Sequence, residues 1–243
     1  MKTNLFLVFL CLLNLSVVAQ KKNNFEDWSA KPPIVKPGEN NQPPSDAMVL
    51  FDKNSLDKWE YADGTPVKWE VKKDYFTVVV DEPNIYTREK FGDCQLHIEW
   101  RVPEGEQHEG LRWGNSGIFF MGQYEVQIYD SYKDKHEIYY NGQAGSIYKQ
   151  HSPLVNCCKP PGEWQSYDII FTAPEFYPDK TLKSPAAFTV MQNGVLVQNH
   201  VELIGPTSHG DYTQYEYHES ALPLMLQTHE SAVSFRNIWI RKL

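Results

Sequence analysis

The sequence predicts an all-β domain built from two antiparallel sheets packed face to face. Three observations point there. About a dozen short apolar and β-branched runs follow one another, each bounded by Gly, Pro, Asn or Asp, at the spacing of a sandwich. No segment shows the 3.6-residue apolar period of a long amphipathic helix, and none is repeated. Asn193-Gly194 separates two such runs, and this dipeptide favours a type I′ hairpin turn because both central residues there need positive φ.

The elements follow in order. Val49-Leu50-Phe51 is the first strand, and Asp52-Lys53-Asn54 turns the chain. Trp69–Val71 and Tyr75–Val80 form a hairpin around Lys72-Lys73-Asp74. Ile85-Tyr86-Thr87 leads into Cys94–Val102, the longest clean alternation, with Leu96, Ile98 and Trp100 on one face and His97, Glu99 and Arg101 on the other. Gly114–Asp130 reads as two short strands joined by a tight Gly122-Gln123 turn; Tyr124, Val126 and Ile128 share one face, Glu125, Gln127 and Tyr129 the other. Further strands are expected at Gly145–Tyr148, Tyr167–Phe171, Ala187–Met191, Val195–Gln198, Leu222–His229 and Val233–Ile240.

Lys2 followed by an apolar run from Leu5 to Val18, with small residues at Val17-Val18-Ala19, reads as an export signal over residues 1–19. The run is short for a permanent span, so no transmembrane anchor is expected and the mature chain is periplasmic or extracellular. Residues 20–46 hold Lys31-Pro32-Pro33, Lys36-Pro37-Gly38 and Gln42-Pro43-Pro44 and read as a flexible linker. Residues 47–243 then make one domain. The net charge of −8, with no basic run, argues against nucleic acid as a partner. Cys94, Cys157 and Cys158 remain after the signal, an odd number that excludes a fully paired disulfide framework. One of the adjacent pair can bond Cys94, or all three stay free.

Polar groups recur on alternating strand positions: Glu99 with Arg101, Glu125 with Gln127, Gln227 with His229, and Asn115 beside a turn. If those strands are neighbours in one sheet, the groups converge on a polar face suited to a sugar. Alternation alone also fits an ordinary solvated face, but Gln, Asn and His are uncommon there. Trp113, with Trp59, Trp69 and Trp164, offers a surface for a sugar ring or belongs to the core. No phosphate-binding Gly-rich loop and no Gly-x-Ser-x-Gly elbow is present.

Glu125-x-Gln127-x-x-Asp130 resembles the Glu-x-Asp-x-x-Glu strand of retaining β-glucanases, where two carboxylates act as nucleophile and acid/base. Here the middle position is an amide, and Asp130 lies at odd separation from Glu125, on the opposite face of a regular strand.

A wider resemblance covers residues 48–243. Leu50-Phe51-Asp52, Leu56–Trp59, Phe91–Arg101, Gly114–Ile118, Tyr124–Asp130, Gly145–Tyr148, Pro161–Trp164, Asn193-Gly194, Gln227-x-His229 and Phe235–Ile240 occur in the order of the 3-keto-disaccharide hydrolase domain family. The family's usual Gln-Asp-His-Gly is here Gln227-Thr228-His229-Glu230. The resemblance implies a concanavalin A-like lectin/glucanase sandwich, or jelly roll, that cleaves glycosides already oxidised at C3. A C3 ketone acidifies the C2 proton, so a base can expel the C1 substituent by β-elimination, and water added to the enone gives net hydrolysis. Such a site needs one base and an enolate stabiliser. Glu125 or His229 is the expected base. Glu99, Arg101, Trp113, Asn115, Gln127 and Gln227 are the expected substrate contacts. A divalent metal ion is a possible cofactor, with Glu125, Gln127 and His229 as conceivable ligands. The chemistry also implies a partner oxidoreductase that supplies the keto-sugar. Two other readings stay open: a non-catalytic carbohydrate-binding domain on the same sandwich, and a direct glycosidase on unoxidised β-glucans.

Overall fold

The computed structural model describes residues 29–39, 42–51, 53–105 and 112–243. The expected signal, the start of the linker and Asp52 of the first turn lie outside the described residues. Among the described residues no helix is long and apolar enough to cross a membrane.

Fifteen strands are present among the described residues. In chain order they are β1 (Met48–Phe51), β2 (Trp59–Tyr61), β3 (Glu70–Lys72), β4 (Tyr75–Thr77), β5 (Ile85–Phe91), β6 (Cys94–Arg101), β7 (Ser116–Phe120) and β8 (Tyr124–Ile128). They continue with β9 (Gln165–Thr172), β10 (Glu175–Phe176), β11 (Leu182–Ser184), β12 (Ala187–Gln192), β13 (Val195–Glu202), β14 (Leu222–Leu226) and β15 (Ser234–Lys242). The larger sheet runs β13-β12-β9-β6-β15-β4-β3, with β1 also on β15; the smaller runs β2-β5-β14-β7-β8; β10 and β11 form a separate ribbon. All pairings are antiparallel. This is the expected β-sandwich of the lectin/glucanase type.

The two sheets meet through the apolar faces that alternation predicts. Phe120 of β7 packs on Phe171 of β9 and Phe188 of β12 at ring separations of 4.9 and 5.1 Å. Leu96, Ile98 and Trp100 of β6 and Tyr124, Val126 and Ile128 of β8 are fully buried. Each such side chain contributes about 1.5–3 kcal/mol on burial. The Tyr167 hydroxyl crosses the core to donate to the Gln127 carbonyl at 2.8 Å.

The turns behave as their residues require. Asn193 and Gly194 adopt φ of 52° and 78°, as a type I′ turn demands. The β7–β8 hairpin is centred one residue earlier than expected: Met121 and Gly122 take φ of 55° and 67°, and the Gln123 N–H closes on the Phe120 carbonyl. Gly145–Tyr148 is not a strand. It lies along the free edge of β8, joined by a Val126–Ile147 bridge and by two backbone bonds at Gln127.

Residues 35–243 form one compact unit. Its first segment is tied down by paired Lys36–Ser45 bonds and by the Arg241 guanidinium on the Asp46 carboxylate.

Candidate active site

The outer face of the smaller sheet carries the site. Because β8 alternates, burying Tyr124, Val126 and Ile128 in the core turns Glu125 and Gln127 outward. The neighbouring β7 sets Gly117 opposite Gln127 and Phe119 opposite Glu125. Past the end of β14, the Gln227 N–H bonds the Gly117 carbonyl, which extends the same ladder and aims Gln227 and then His229 at this face. Two loops close over it. One is the β8 edge segment with Tyr148; the other carries Thr207, Ser208 and His209 and is anchored by Thr207 bonding the Gln123 carbonyl through both N–H and hydroxyl. The result is a cavity of about 200 Å³ lined by Asn115, Phe119, Glu125, Gln127, Gln227 and His229 below and Tyr148, Thr207, Ser208 and His209 above.

Glu125 is the only carboxyl group among the described residues lining this cavity. It is 5 % exposed, and burial alone pushes its carboxyl up to about 8. Its carboxyl lies over Gly117, where a Cβ would come within 2.3 Å of Oε1. His229 lies on the other side of the balance. Burial lowers its imidazole below the usual range; Glu230 opposes this, while Arg112 and His209 reinforce it. The His229 Nδ1 accepts the Glu230 N–H at 2.9 Å, which leaves the proton of the neutral ring on Nε2. His229 is therefore built as a donor, and Glu125 as a proton acceptor once ionised. Thr228 faces away, its hydroxyl donating to the Pro83 carbonyl, so the position where the family usually has Asp points out of the cavity. Glu230 pairs with Arg112 at 2.7 Å.

Five expected site residues thus converge: Glu125, Gln127, Asn115, Gln227 and His229. Glu99, Arg101 and Trp113 do not. β6 belongs to the larger sheet, and its outward face is on the far side of the sandwich. There Glu99 accepts from Arg236 at 2.6 Å and from Asn237 at 2.9 Å, at the edge of a separate cavity of about 420 Å³. Arg101 lies over the rings of Tyr75 and Trp164 at 4.9 and 4.5 Å. Trp113 stacks on His136 at 4.0 Å, and His136 bonds Asp130 at 3.1 Å, in another small cavity that Glu125 does not line. Asp130 accordingly stays apart from Glu125, as the odd spacing predicts.

Tyr148 was not a candidate from the sequence, although Gly145–Tyr148 was among the segments carrying the resemblance. His209 lies in a loop where no spacing marks it. Among the described residues no group of three or more His, Cys, Asp or Glu side chains is placed to hold a metal ion. Glu125, Gln127 and His229 do share the cavity, supplying one carboxyl, one amide and one imidazole.

A structure from Parabacteroides distasonis ATCC 8503, provisionally designated a glycosyl hydrolase, shares 45% identity over 90% of this chain and 95% of its own, with a TM-score of 0.85. Two further structures from that organism, designated likewise, share 19% and 20% identity over 81% of this chain and 94% and 99% of theirs, each with a TM-score of 0.56. These two support the fold. A comparison with curated proteins returns no match. The family model of the 3-keto-α-glucoside-1,2-lyase-like domain matches residues 46–241. The chain therefore belongs to the 3-keto-α-glucoside-1,2-lyase-like domain family, a carbohydrate-related family and the one that its sequence resembles.

Proposed function

We propose that the protein cleaves the glycosidic bond of 3-keto-glycosides or 3-keto-disaccharides by abstraction of the C2 proton and β-elimination, with net hydrolysis. The observation that carries this reading is the buried Glu125, the one carboxyl group among the described residues that line a cavity otherwise made of amides, hydroxyls, imidazoles and one phenyl ring. A glycosidase working through an oxocarbenium ion uses two carboxyl groups flanking the bond. A proton abstraction next to a ketone needs one base of high basicity and donors for the enolate.

Glu125, with its carboxyl raised to about 8, is a strong base in its ionised form. In this reading it takes the C2 proton. The His229 Nε2–H and the amides of Asn115, Gln127 and Gln227 hold the C3 oxygen and the ring hydroxyls as negative charge builds on the enolate. The C2–H electrons become the C1=C2 double bond, and the C1–O bond breaks. Water then adds at C1 and a proton returns to C2. If a divalent ion binds, Glu125, Gln127 and His229 are the residues to hold it, and it would polarise the ketone.

In this reading the amino-terminal segment is an export signal, and the activity lies in a periplasm or outside the cell. An oxidoreductase acting at C3 of a glycoside must supply the substrate. The test is aglycone release by the mature protein from a 3-keto-glucoside and from its unoxidised parent, with and without chelator. Release from the keto form alone is the expected result. Release from the parent at equal rate supports a direct glycosidase, and saturable glycan binding without release supports a binding domain; either overturns the proposal.

A further inference from the structure

The geometry points to Tyr148 as the proton donor to the departing aglycone oxygen, standing in the wall between the Glu125 cavity and an outer cavity that receives the aglycone. This inference rests on the elimination reading of the same site.

Tyr148 lines the inner cavity together with Glu125. Its hydroxyl oxygen is held by two neighbours. It lies 2.6 Å from the Tyr139 hydroxyl and 3.1 Å from the His209 Nδ1. Tyr139 in turn lines a second cavity of about 340 Å³, with Asn141, Lys149, Asp211 and Tyr212. The two cavities thus share a wall that contains the Tyr139–Tyr148 contact. Lys149 braces this wall. Its Nζ donates to the His209 carbonyl and stands 5.8 and 5.9 Å from the rings of Tyr139 and Tyr148. The Tyr212 hydroxyl donates to the Lys149 carbonyl at 3.2 Å. The outer cavity therefore offers aromatic surface beside polar groups, which suits a ring with one apolar face and several hydroxyls.

A glycoside with its C2 at Glu125 and its aglycone directed toward the outer cavity sets its glycosidic oxygen beside the Tyr148 hydroxyl. An alkoxide leaving group needs a proton as the C1–O bond breaks. The Glu125 carboxylate takes the C2 proton, the C2–H electron pair forms C1=C2, and the C1–O pair leaves on the aglycone oxygen. Tyr148 gives its hydroxyl proton to that oxygen, releasing an alcohol. His209 is exposed to solvent and returns a proton to the phenolate through Nδ1. Burial first, and then the Tyr139 hydrogen bond, raise the Tyr148 hydroxyl above its usual range, so it stays protonated until a more basic alkoxide takes the proton.

The experiment compares two 3-keto-glucosides that differ only in the leaving group. Methoxide needs a proton to depart, and 4-nitrophenolate does not. With wild-type protein both are cleaved. Tyr148→Phe should lower kcat/KM for the methyl glycoside about a hundredfold or more, as loss of a general acid does, and for the nitrophenyl glycoside less than about tenfold. The retained nitrophenyl activity also shows that the variant is folded. Equal losses on both substrates would assign Tyr148 a structural role, and an undiminished methyl rate would remove it from the reaction; either overturns the inference while leaving the elimination reading in place. Failure of wild-type protein to cleave either keto substrate removes the elimination reading and this inference with it.

Discussion

The Glu125 carboxyl rests on the bare Cα of Gly117, one strand away. A Cβ added at Gly117 would stand 2.3 Å from Glu125 Oε1 and 2.6 Å from Phe119 Cε2. Gly117 is needed here for space, since its φ is not in the left-handed region. Gly117→Ala should therefore move the carboxylate while leaving the β7–β8 ladder intact. Displacement on the ångström scale costs a positioned group about a hundredfold in rate. The check is kcat alongside thermal unfolding: a collapse of Tm with normal kcat would show that the contact serves folding alone.

Activity should rise with pH through the ionisation of Glu125. A base works only when deprotonated, so kcat/KM should climb with an apparent pKa near 8, the value that burial imposes on this carboxyl. Glu125→Gln should lower the rate at least about a hundredfold and abolish that limb of the profile. A limb that persists in the variant would assign it to another group.

The same burial fixes a stability signature of known sign. Folding raises the Glu125 carboxyl from 4.5 to about 8, so the folded state holds a proton that the unfolded state releases in between. Stability therefore falls as pH rises through that window. Glu125→Gln should match the wild type below pH 4.5 and exceed it by several kcal/mol above pH 8. Urea midpoints at the two pH values measure this, and identical midpoints at both would contradict it.

His229 is held as a donor by the Glu230 N–H on its Nδ1. His229→Ala should cost about a hundredfold in rate. His229→Gln, which can still donate through its amide, should recover part of that loss. Equal loss in both variants would favour His229 as the base.

On the opposite face, burial lowers the His97 imidazole, but the Asp168 hydrogen bond at 2.7 Å, with Glu99 in support, outweighs it and raises the ring to about 9. Its stabilisation is fully present below pH 6.5 and lost as pH rises through 9. Asp168→Asn should thus reduce the urea midpoint at pH 6 and have little effect above pH 9.5. Similar losses at both pH values would contradict the charged pair.

Much of this was legible in the residues. Two-residue alternation placed Leu96, Ile98 and Trp100 in the core and turned Glu125 and Gln127 outward, because a strand with one buried face admits a single register. Alternation states which face of a strand a side chain takes, but not which sheet the strand joins. That is why Glu99 and Arg101, with the same pattern as Glu125 and Gln127, lie on the far side of the sandwich. Trp113 sits in a turn, where no period constrains it. Tyr148, Thr207 and His209 come from loops whose paths are set by contacts such as Thr207 on the Gln123 carbonyl. Those contacts have high sequence separation and leave no local mark.

The most direct test of the elimination account is a competition between a 3-keto-glucoside and the same compound deuterated at C2, read as relative aglycone release by wild-type protein. Abstraction of the C2 proton by Glu125 predicts faster consumption of the protiated substrate. Equal consumption of the two, with the aglycone released, would contradict it.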